Sequence, residues 1–442
     1  MILRSASRKN PAASARVDAD DEAMLDRLQR DAFDYFPKMS NPANGLVADT
    51  TRSGSPSSIA VIGFALSAYV VGVERDWITR GDAVQRCLAT LRFFWSSDQS
   101  ESRCATGHRG FYYHFLDLEC GVRTWESELS MIDTALLLAG MLTVAAYFTG
   151  DTREEAELRK LAIDLYRRVD WRWAQHEGPA VAHGWKPECG YLHYGWQGYS
   201  EALLLYVLGL GSPTHPLTDE SFAAWTVTYQ WEQLYEYDFL YAGPLFIHQF
   251  SHAWIDFRGI RDRFMREKGC DYFENSRRAT YVQREYATRN PRSFDGYSED
   301  GWGVSACDGP SVEPRFIAGR RQAFYGYAAR GVPWGPDDGT LCGSSILGSL
   351  VFAPELALPA ARKLYAREPD GRGELLHASG HNTTARAPGS DTWISEGRFG
   401  LDQGLIVLMI ENFRSGLPWR LGRGCRFIRN GLRRAGFSGG WL

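Results

Sequence analysis

Long apolar segments alternate with amphipathic ones along this chain, and this alternation constrains the fold more than any other feature. Residues 57–73 and 130–148 are almost uniformly apolar, whereas residues 82–95 and 152–173 carry apolar side chains mainly on one helical face. A helix that is apolar all round must be buried, while an amphipathic helix covers it and turns its other face to water. The pattern therefore predicts an all-α fold with buried inner helices and half-exposed outer ones.

Further helical patterns bring the expected number of helices to about a dozen, and strand patterns are few and short. The additional helices are predicted near residues 24–36, 199–210, 221–236, 244–256, 271–289, 317–329, 344–367 and 402–414. Two concentric rings of helices satisfy this pattern. We therefore predict an (α/α)6 toroid whose long loops form a cleft at one end, with an irregular α-solenoid as the alternative.

The ends of the chain differ from its centre. Residues 1–22 are polar and lack apolar periodicity, which predicts a mobile N-terminal arm. Residues 23–420 are predicted to form the catalytic domain. Residues 421–442 contain arginine but no acidic residue, which is typical of a solvated terminal helix; docking to an acidic surface or to phospholipid headgroups is the alternative.

Composition excludes several classes of protein. The formal net charge is only -4 over 442 residues, so no global field attracts nucleic acid. The best candidate for a membrane span, residues 59–73, is shorter than the ~20 residues that span a bilayer, and no integral membrane segment is predicted. The N-terminus lacks the apolar region of a signal peptide, which favours a cytoplasmic protein; a periplasmic one is the alternative if the N-terminus is mis-assigned or processed. We expect a monomer or a weak oligomer.

The 8 cysteines are dispersed and form no Cys-x-x-Cys pair. This excludes a zinc knuckle or a dithiol redox motif and indicates free thiols, with disulfides as the alternative in an exported protein. The sequence also lacks a Gly-x-Ser-x-Gly elbow, a phosphate-binding loop and a dinucleotide fingerprint. Serine-nucleophile hydrolases and nucleotide-dependent enzymes are therefore disfavoured.

Acidic residues stand where several apolar segments begin. Glu201 precedes an apolar run, Asp402 precedes another, and Asp133 follows Glu128 at the start of a third. A helix N-terminus stabilises an anion, while nearby rings such as Trp196 desolvate it and raise its pKa. A general acid at neutral pH needs such a raised pKa. The alternative for each acid is a helix-capping role.

Aromatic residues make up 13% of the chain, including 15 Trp, and many lie beside glycine or polar residues. Aromatic rings stack on pyranose faces, and a pair of carboxylates can cleave a glycosidic bond. We therefore predict a glycoside hydrolase with Glu201, Asp402 and Asp133 as catalytic candidates. The predicted substrate-binding residues are Glu128, Tyr199, Trp196, His248, His252, Trp254, Glu299, Trp302 and Asp338.

His248, His252 and Asp256 recur at every fourth position and would share one face of a helix. Such a set resembles a metal site. However, no glutamate follows the first histidine as it does in zinc proteases, and aromatic residues crowd the segment. Hydrogen bonds to sugar hydroxyls or within the core are preferred, and we predict neither a metal nor another cofactor.

A series of short motifs, in order, resembles the glucoamylase-like family that includes the bacterial endo-β-1,2-glucanases (glycoside hydrolase family 144). The resemblance covers about residues 24–420, and the series is highly specific in combination. The matching runs are residues 58–66, 72–80, 110–117, 128–137, 198–202, 211–215, 244–258, 274–280, 306–310, 337–340 and 401–412.

The resemblance implies an (α/α)6 barrel that hydrolyses β-1,2-linked glucan with inversion and without a metal. It implies Glu201 as proton donor and Asp402 as the leading base, with Asp133 and Glu128 orienting substrate or water. Ser200 and Leu405 depart from the family pattern. Transglycosylation on linear or cyclic β-1,2-glucans, a non-catalytic glucan-binding protein and a polysaccharide lyase remain alternatives.

Overall fold

The computed structural model describes residues 17–317, 319–367, 373–386 and 389–442. These residues are mostly helical, as the sequence predicts. The helices are α1 (Ala19–Phe33), α2 (Tyr35–Met39), α3 (Ile59–Glu74), α4 (Arg80–Ser96), α5 (Met131–Tyr147), α6 (Arg153–Arg168), α7 (Leu203–Gly211), α8 (Ser221–Thr226), α9 (Arg263–Glu267), α10 (Tyr272–Arg289), α11 (Gly343–Gly348), α12 (Pro354–Ala366), α13 (Glu374–His377), α14 (Gly400–Arg414), α15 (Leu417–Gly424) and α16 (Arg426–Arg434).

The apolar helices pack against one another in the interior. Helices α3, α5, α7, α11 and α14 are buried over most of their length, whereas α4, α6, α10 and α12 are buried on one face only. Helix α3 packs against both α5 and α14; α5 also contacts α7, and α11 contacts α14. The predicted division into inner and outer helices is thus observed.

Glycines allow the central helices α3 and α5 to approach closely. A Cβ atom on Gly63 would lie 2.2 Å from the carbonyl oxygen of Leu136, and one on Gly140 would lie 2.2 Å from the carbonyl oxygen of Gly63. Real Cβ contacts are never this short, so a larger residue at either position would push the two helices apart. The apolar composition of these segments buries them, and the glycines set their separation.

Residues 244–256, predicted to be a helix, instead form two short 3-10 turns, Leu245–His248 and Phe250–Ala253. Side chains from other segments bond to carbonyl oxygens that an α-helix would use internally: Ser276 Oγ donates to the carbonyl oxygen of His248 at 2.8 Å, and Trp419 Nε1 donates to that of His252 at 2.6 Å. These tertiary partners compete with the i→i−4 bonds of an α-helix.

Two other predicted helices are shorter than expected or divided, and a third predicted helix is a β-hairpin in the structure. The helix expected over 221–236 ends at Thr226 and is followed by a β-hairpin. The helix expected over 344–367 is divided into α11 and α12. The segment 317–329 contains no helix among its described residues, and Arg315 pairs with Gln322 in an antiparallel hairpin instead.

Short strands lie in the loops between the helices. They are β1 (Ser57–Ser58), β2 (Gly107–His108), β3 (Phe111–Tyr113), β4 (Phe115–Leu116), β5 (Leu129–Ser130), β6 (Gly184–Lys186), β7 (Gly190–Tyr191), β8 (Trp231–Leu234), β9 (Tyr237–Leu240), β10 (Ala306–Cys307), β11 (Arg315–Ile317), β12 (Arg320–Gln322), β13 (Ala328–Ala329), β14 (His381–Asn382) and β15 (Trp393–Ile394). The largest sheet is antiparallel with strand order β2-β3-β5-β6-β7. It fixes the loop before α5 against the β3–β4 segment.

The N-terminal arm predicted over 1–22 falls largely outside the described residues. Its last residues, from Ala19, form the first turn of α1, which Asp18 caps. At the other end, α16 packs closely against α7, where a Cβ atom on Gly431 would lie 1.8 Å from the carbonyl oxygen of Val207. None of the described helices has both the length and the apolar character that a membrane span requires.

Candidate active site

A cavity of about 340 Å³ lies where several inner helices begin. Asp133 is in the first turn of α5, Asp402 is in the first turn of α14, and Glu201 directly precedes α7. The structure thus brings together the three carboxylates predicted to be catalytic. The lining residues are His114, Glu128, Ser130, Ile132, Asp133, Leu136, His183, Leu192, Trp196, Glu201, Phe246, Phe250, Ser305, Ala306, Tyr327, Ala329, Cys342, Ser344, Ser345, Ser379, Phe399, Leu401, Asp402 and Leu405.

Glu201 is partly buried, and its backbone is fixed at the entrance to α7. The carbonyl oxygen of Glu201 accepts a hydrogen bond from Ser251 Oγ at 3.0 Å, and Ser251 Oγ also accepts from Leu204 N at 3.1 Å. Burial, with a smaller contribution from the negative charge of Asp133, raises the pKa of Glu201 to about 7. This carboxyl group therefore retains a proton near neutrality, as a general acid must.

Asp402 faces the same cavity in a different hydrogen-bonding environment. Ser344 Oγ donates to Asp402 Oδ1 at 2.6 Å, and Cys342 Sγ lies 3.7 Å from the same oxygen. Burial raises the pKa of Asp402 to about 7, although these hydrogen bonds favour the anion. No cation is among the groups that shift the pKa of Asp402. The carboxyl group of Asp402 therefore gains and loses its proton close to neutral pH.

The third carboxylate, Asp133, belongs to a charged cluster. Ser130 Oγ donates to Asp133 Oδ2 at 2.5 Å, and His114 Nε2 lies 3.6 Å from the same oxygen. The other ring nitrogen of His114, Nδ1, is 2.9 Å from Glu128 Oε1. Burial lowers the pKa of His114, but Asp133, Glu128 and Asp49 outweigh this effect and raise it to about 9.

The ligand atoms of His114, Glu128 and Asp133 lie within 4.8 Å of one another, a spacing that would accommodate a metal ion. The hydrogen bond between His114 Nδ1 and Glu128 Oε1 occupies one nitrogen of the ring and one oxygen of the carboxylate, which leaves Nε2 facing Asp133. A protonated imidazole between two carboxylates accounts for the geometry, and we assign none of the three as a metal ligand.

Aromatic side chains form part of the cavity wall. Trp196, a predicted binding residue, stacks on His183 with ring centroids 3.9 Å apart. Tyr327 lies nearly parallel to Phe399 at 6.2 Å, and the guanidinium of Arg52 covers Phe399 at 5.1 Å. Flat apolar surfaces beside carboxyl groups are suited to a sugar ring, which has apolar faces and polar edges.

Several predicted binding residues are core residues instead. Tyr199 does not line the cavity, and its ring stacks on Tyr272. His248 and His252 are buried; burial lowers the pKa of the first to about 4 and of the second to about 3. His252 Nε2 lies 3.2 Å from Ser276 Oγ, inside the protein. Their four-residue spacing does not place them on one helical face, because the segment is not an α-helix.

The remaining predicted residues also lie outside the cavity lining. Trp254 is buried and donates from Nε1 to Ser67 Oγ at 2.9 Å, and Trp302 is completely buried. Asp338 forms a buried ion pair with Arg330 at 2.8 Å. Glu299 is exposed and pairs with Arg284. None of these four side chains lines the cavity, so the structure does not bring them together with the three carboxylates.

Sequence reasoning missed His114, Asp49 and Tyr327. His114 lies in one of the motif-matching runs, but its neighbours in sequence are aromatic and give no sign of its acidic partners. The pairing of β3 with β5, in which Tyr113 is opposite Leu129, brings those partners to it. No local pattern reveals such a contact.

The comparison with known proteins identifies the family. A sequence profile described as Putative glucoamylase matches residues 193–426, more than half of the chain. The chain belongs to this family. A crystal structure of a putative glucoamylase from Bacteroides uniformis has a TM-score of 0.84 and 27% identity, covering 97% of this chain and 100% of the other.

Two further relatives of this glucoamylase-like protein carry more specific names. An exo β-1,2-glucooligosaccharide sophorohydrolase from Parabacteroides distasonis is 25% identical over 94% of this chain, but the chain spans only 58% of that relative. An endo-β-1,2-glucanase from Chitinophaga pinensis, solved with sophorotriose and glucose, has a TM-score of 0.81 and 24% identity, covering 95% of this chain and 99% of the other. The latter likeness establishes the fold alone.

Proposed function

We propose that the protein is a glycoside hydrolase that cleaves β-1,2-linked glucan with one general acid and one general base. The observation that carries this proposal is the pair of partly buried carboxyl groups, Glu201 and Asp402, which share one cavity and both have a pKa raised to about 7. A proton donor and a proton acceptor are most effective when the pKa of each lies near the working pH.

The environments of the two groups favour a division of roles. Glu201 feels the negative charge of Asp133, which favours its protonated form, so Glu201 donates a proton to the glycosidic oxygen. Burial and the charge of Asp49 favour the protonated form of Asp402, but the hydrogen bonds that it accepts from side chains favour its anion, and we assign it the removal of a proton from the attacking water. Attack by water from the face opposite the leaving group gives inversion. Asp133 and Glu128 orient substrate or water.

Family membership and the printed names of the relatives support the substrate. The curated relative is named for hydrolysis of β-1,2-glucooligosaccharides, and the Chitinophaga pinensis structure holds sophorotriose. The aromatic wall of Trp196, Tyr327 and Phe399 supplies flat surfaces on which glucose rings can stack. The catalytic unit is the predicted domain over residues 23–420.

The double ring of helices belongs to the same proposal. Its inner ring comprises α3, α5, α7, the 3-10 segment at 245–253, α11 and α14. The contacts of α3 with α5 and α14, of α5 with α7, and of α11 with both α14 and the 3-10 segment support it. The hydrogen bonds between Ser251 and the start of α7 link the remaining neighbours. Such a ring explains why acids at the helix starts converge on one cavity.

The test is incubation of the purified protein with linear β-1,2-, β-1,3- and α-1,4-glucans, followed by chromatography and reducing-end assay. We expect reducing ends and short sophoro-oligosaccharides from the β-1,2-glucan alone. Longer or cyclic products without new reducing ends would indicate transglycosylation. Binding of β-1,2-oligosaccharide without any turnover between pH 5 and 8 would indicate a non-catalytic glucan-binding protein. Either outcome would overturn the proposed hydrolysis.

A further inference from the structure

His114 is held in place independently of any substrate. Its backbone N–H donates to the carbonyl oxygen of Glu128 at 2.9 Å, and its carbonyl oxygen accepts from Ile59 N at 3.2 Å. Phe115 covers one face of its ring, with centroids 4.0 Å apart and planes 11° from parallel. Because the backbone of His114 is hydrogen-bonded and Phe115 covers one ring face, the two ring nitrogens are the groups that can contact other side chains.

Both ring nitrogens face carboxylates. Nδ1 is 2.9 Å from Glu128 Oε1, and Nε2 is 3.6 Å from Asp133 Oδ2. The first contact is a hydrogen bond, whereas the second is longer than a hydrogen bond but close enough for a protonated imidazole and a carboxylate to attract each other as charges. The third nearby charge, Asp49 in the loop before β1, is also acidic. The geometry therefore selects the cationic form of the ring.

The cation affects the acids around it. Burial opposes ionisation of Glu128, but the hydrogen bond and the charge of His114 hold the pKa of Glu128 below its ordinary value. Oδ2 of Asp133 accepts a hydrogen bond from Ser130 and lies near His114 Nε2. No described residue donates a hydrogen bond to the other oxygen, Oδ1. Since Asp133 lines the cavity, its free oxygen is available to a water molecule or a sugar hydroxyl.

We propose that His114 is a positioning residue: as a fixed cation between Glu128 and Asp133, it orients the carboxyl group of Asp133 toward a substrate hydroxyl or the attacking water. This inference rests on the proposed hydrolysis of glucan and adds a residue to it. The negative charge of Asp133 in turn favours the proton on Glu201. His114 thus acts on the acid through Asp133, without touching the glycosidic oxygen.

The charge of His114 can be measured without any activity. In protein with isotopically labelled histidine, the NMR signals of His114, assigned by their loss in His114→Gln, should be those of an imidazolium at pH 8. An ordinary histidine, with a pKa of about 6.5, would be neutral there. In Asp133→Asn the same signals should titrate at a lower pH. A neutral ring at pH 7 in the wild-type protein would overturn the inference even if β-1,2-glucan is cleaved.

Kinetics test the positioning role. Glutamine has nearly the shape of histidine but no charge, so His114→Gln should lower kcat on β-1,2-glucan at least about tenfold through loss of a charge-assisted contact. The low-pH limb of the kcat/KM profile should also move to higher pH, because the local positive charge that favours anions is gone. A purely structural role would lower the yield of folded protein without moving this limb.

The matched control is His215→Gln, an exchange of the same residue types at an exposed position outside the cavity. It should leave both the rate and the profile unchanged. A His114→Gln protein with the wild-type profile and a rate within about twofold of wild type would refute the positioning role. A wild-type protein that cleaves no glucan would refute the proposed function instead, and the NMR titration would still decide the charge of His114.

Discussion

Asp402 is partly buried and Asp338 is completely buried, but their surroundings shift the two pKa values in opposite directions. Asp338 is completely buried and forms an ion pair with the equally buried Arg330, which outweighs burial and holds the pKa of Asp338 below its ordinary value. Asp402 has a serine hydroxyl and a thiol beside it, and burial raises its pKa to about 7. A buried carboxyl group is therefore a candidate for proton transfer only where no cation forms an ion pair with it.

The same contrast separates Glu201 from Asp256. Asp256 accepts hydrogen bonds from Arg258 and Arg423, and these partners outweigh burial and lower its pKa. Glu201 has no cation among the groups that shift its pKa. Asp256 and Asp338 have arginine partners, whereas Glu201 and Asp402, which face the cavity, have no cation among the groups that shift their pKa values. Substitutions at the two kinds of site should therefore have different consequences.

The largest effect is expected at Glu201. Glu201→Gln preserves the shape of the side chain but removes the proton that it donates, so kcat on linear β-1,2-glucan should fall about 10²- to 10⁴-fold. Release of reducing ends measures this loss. Glu177→Gln, at a side chain that is 88% exposed, is the matched control and should have the wild-type rate. A Glu201→Gln protein with an undiminished rate would show that another group is the acid.

Asp402→Asn should reduce kcat by about 10²-fold or more, because asparagine cannot accept a proton from water. Ser344 can still donate to the amide oxygen, so the fold is retained. Circular dichroism would check the fold, and reducing-end release would measure the rate. Substantial remaining activity in Asp402→Asn, together with loss of activity in Asp133→Asn, would assign the base to Asp133 and break the comparison between Asp402 and Asp338.

Asp338→Asn should instead act on stability. The exchange leaves the guanidinium of Arg330 buried without a counter-charge, which in other proteins costs about 3–5 kcal/mol of the free energy of unfolding. Denaturant unfolding monitored by tryptophan fluorescence measures the loss. At a temperature where the variant is folded, its KM should stay close to the wild-type value. Unchanged stability combined with a strongly raised KM would restore Asp338 as a substrate-binding residue.

The sequence predicted the positions of these acids better than their surroundings. The starts of the apolar helices could be located because apolar runs are local features, and Glu201, Asp133 and Asp402 stand at three such starts. Arg330 and Asp338 are eight positions apart and meet through loop geometry. His248 and His252 were misassigned because their spacing was interpreted as helical, while long-range hydrogen bonds shape that segment into 3-10 turns. Contacts of this kind leave no periodic pattern in the sequence.

The smallest predicted effect concerns the pH dependence of stability. The pKa of Asp402 is raised from an ordinary value of about 3.9 in the unfolded chain to about 7 in the folded protein. The folded state therefore binds this proton more tightly, and the contribution of Asp402 to the free energy of unfolding falls as pH rises from about 4 to about 7. Asp402→Asn lacks this dependence.

The free energy of unfolding of Asp402→Asn, relative to wild type, should accordingly increase between pH 4 and pH 7 and remain constant above pH 7. Because Asp402 is only partly buried, we expect a change of about 1 kcal/mol rather than the full value that linkage allows. Urea unfolding at pH 4.5, 6 and 8 measures it, with Asp391→Asn, at an exposed aspartate, as the control. A difference that stays constant or shrinks as pH rises would mean that Asp402 is ionised throughout, as Asp338 is, and the contrast between the two aspartates would not hold.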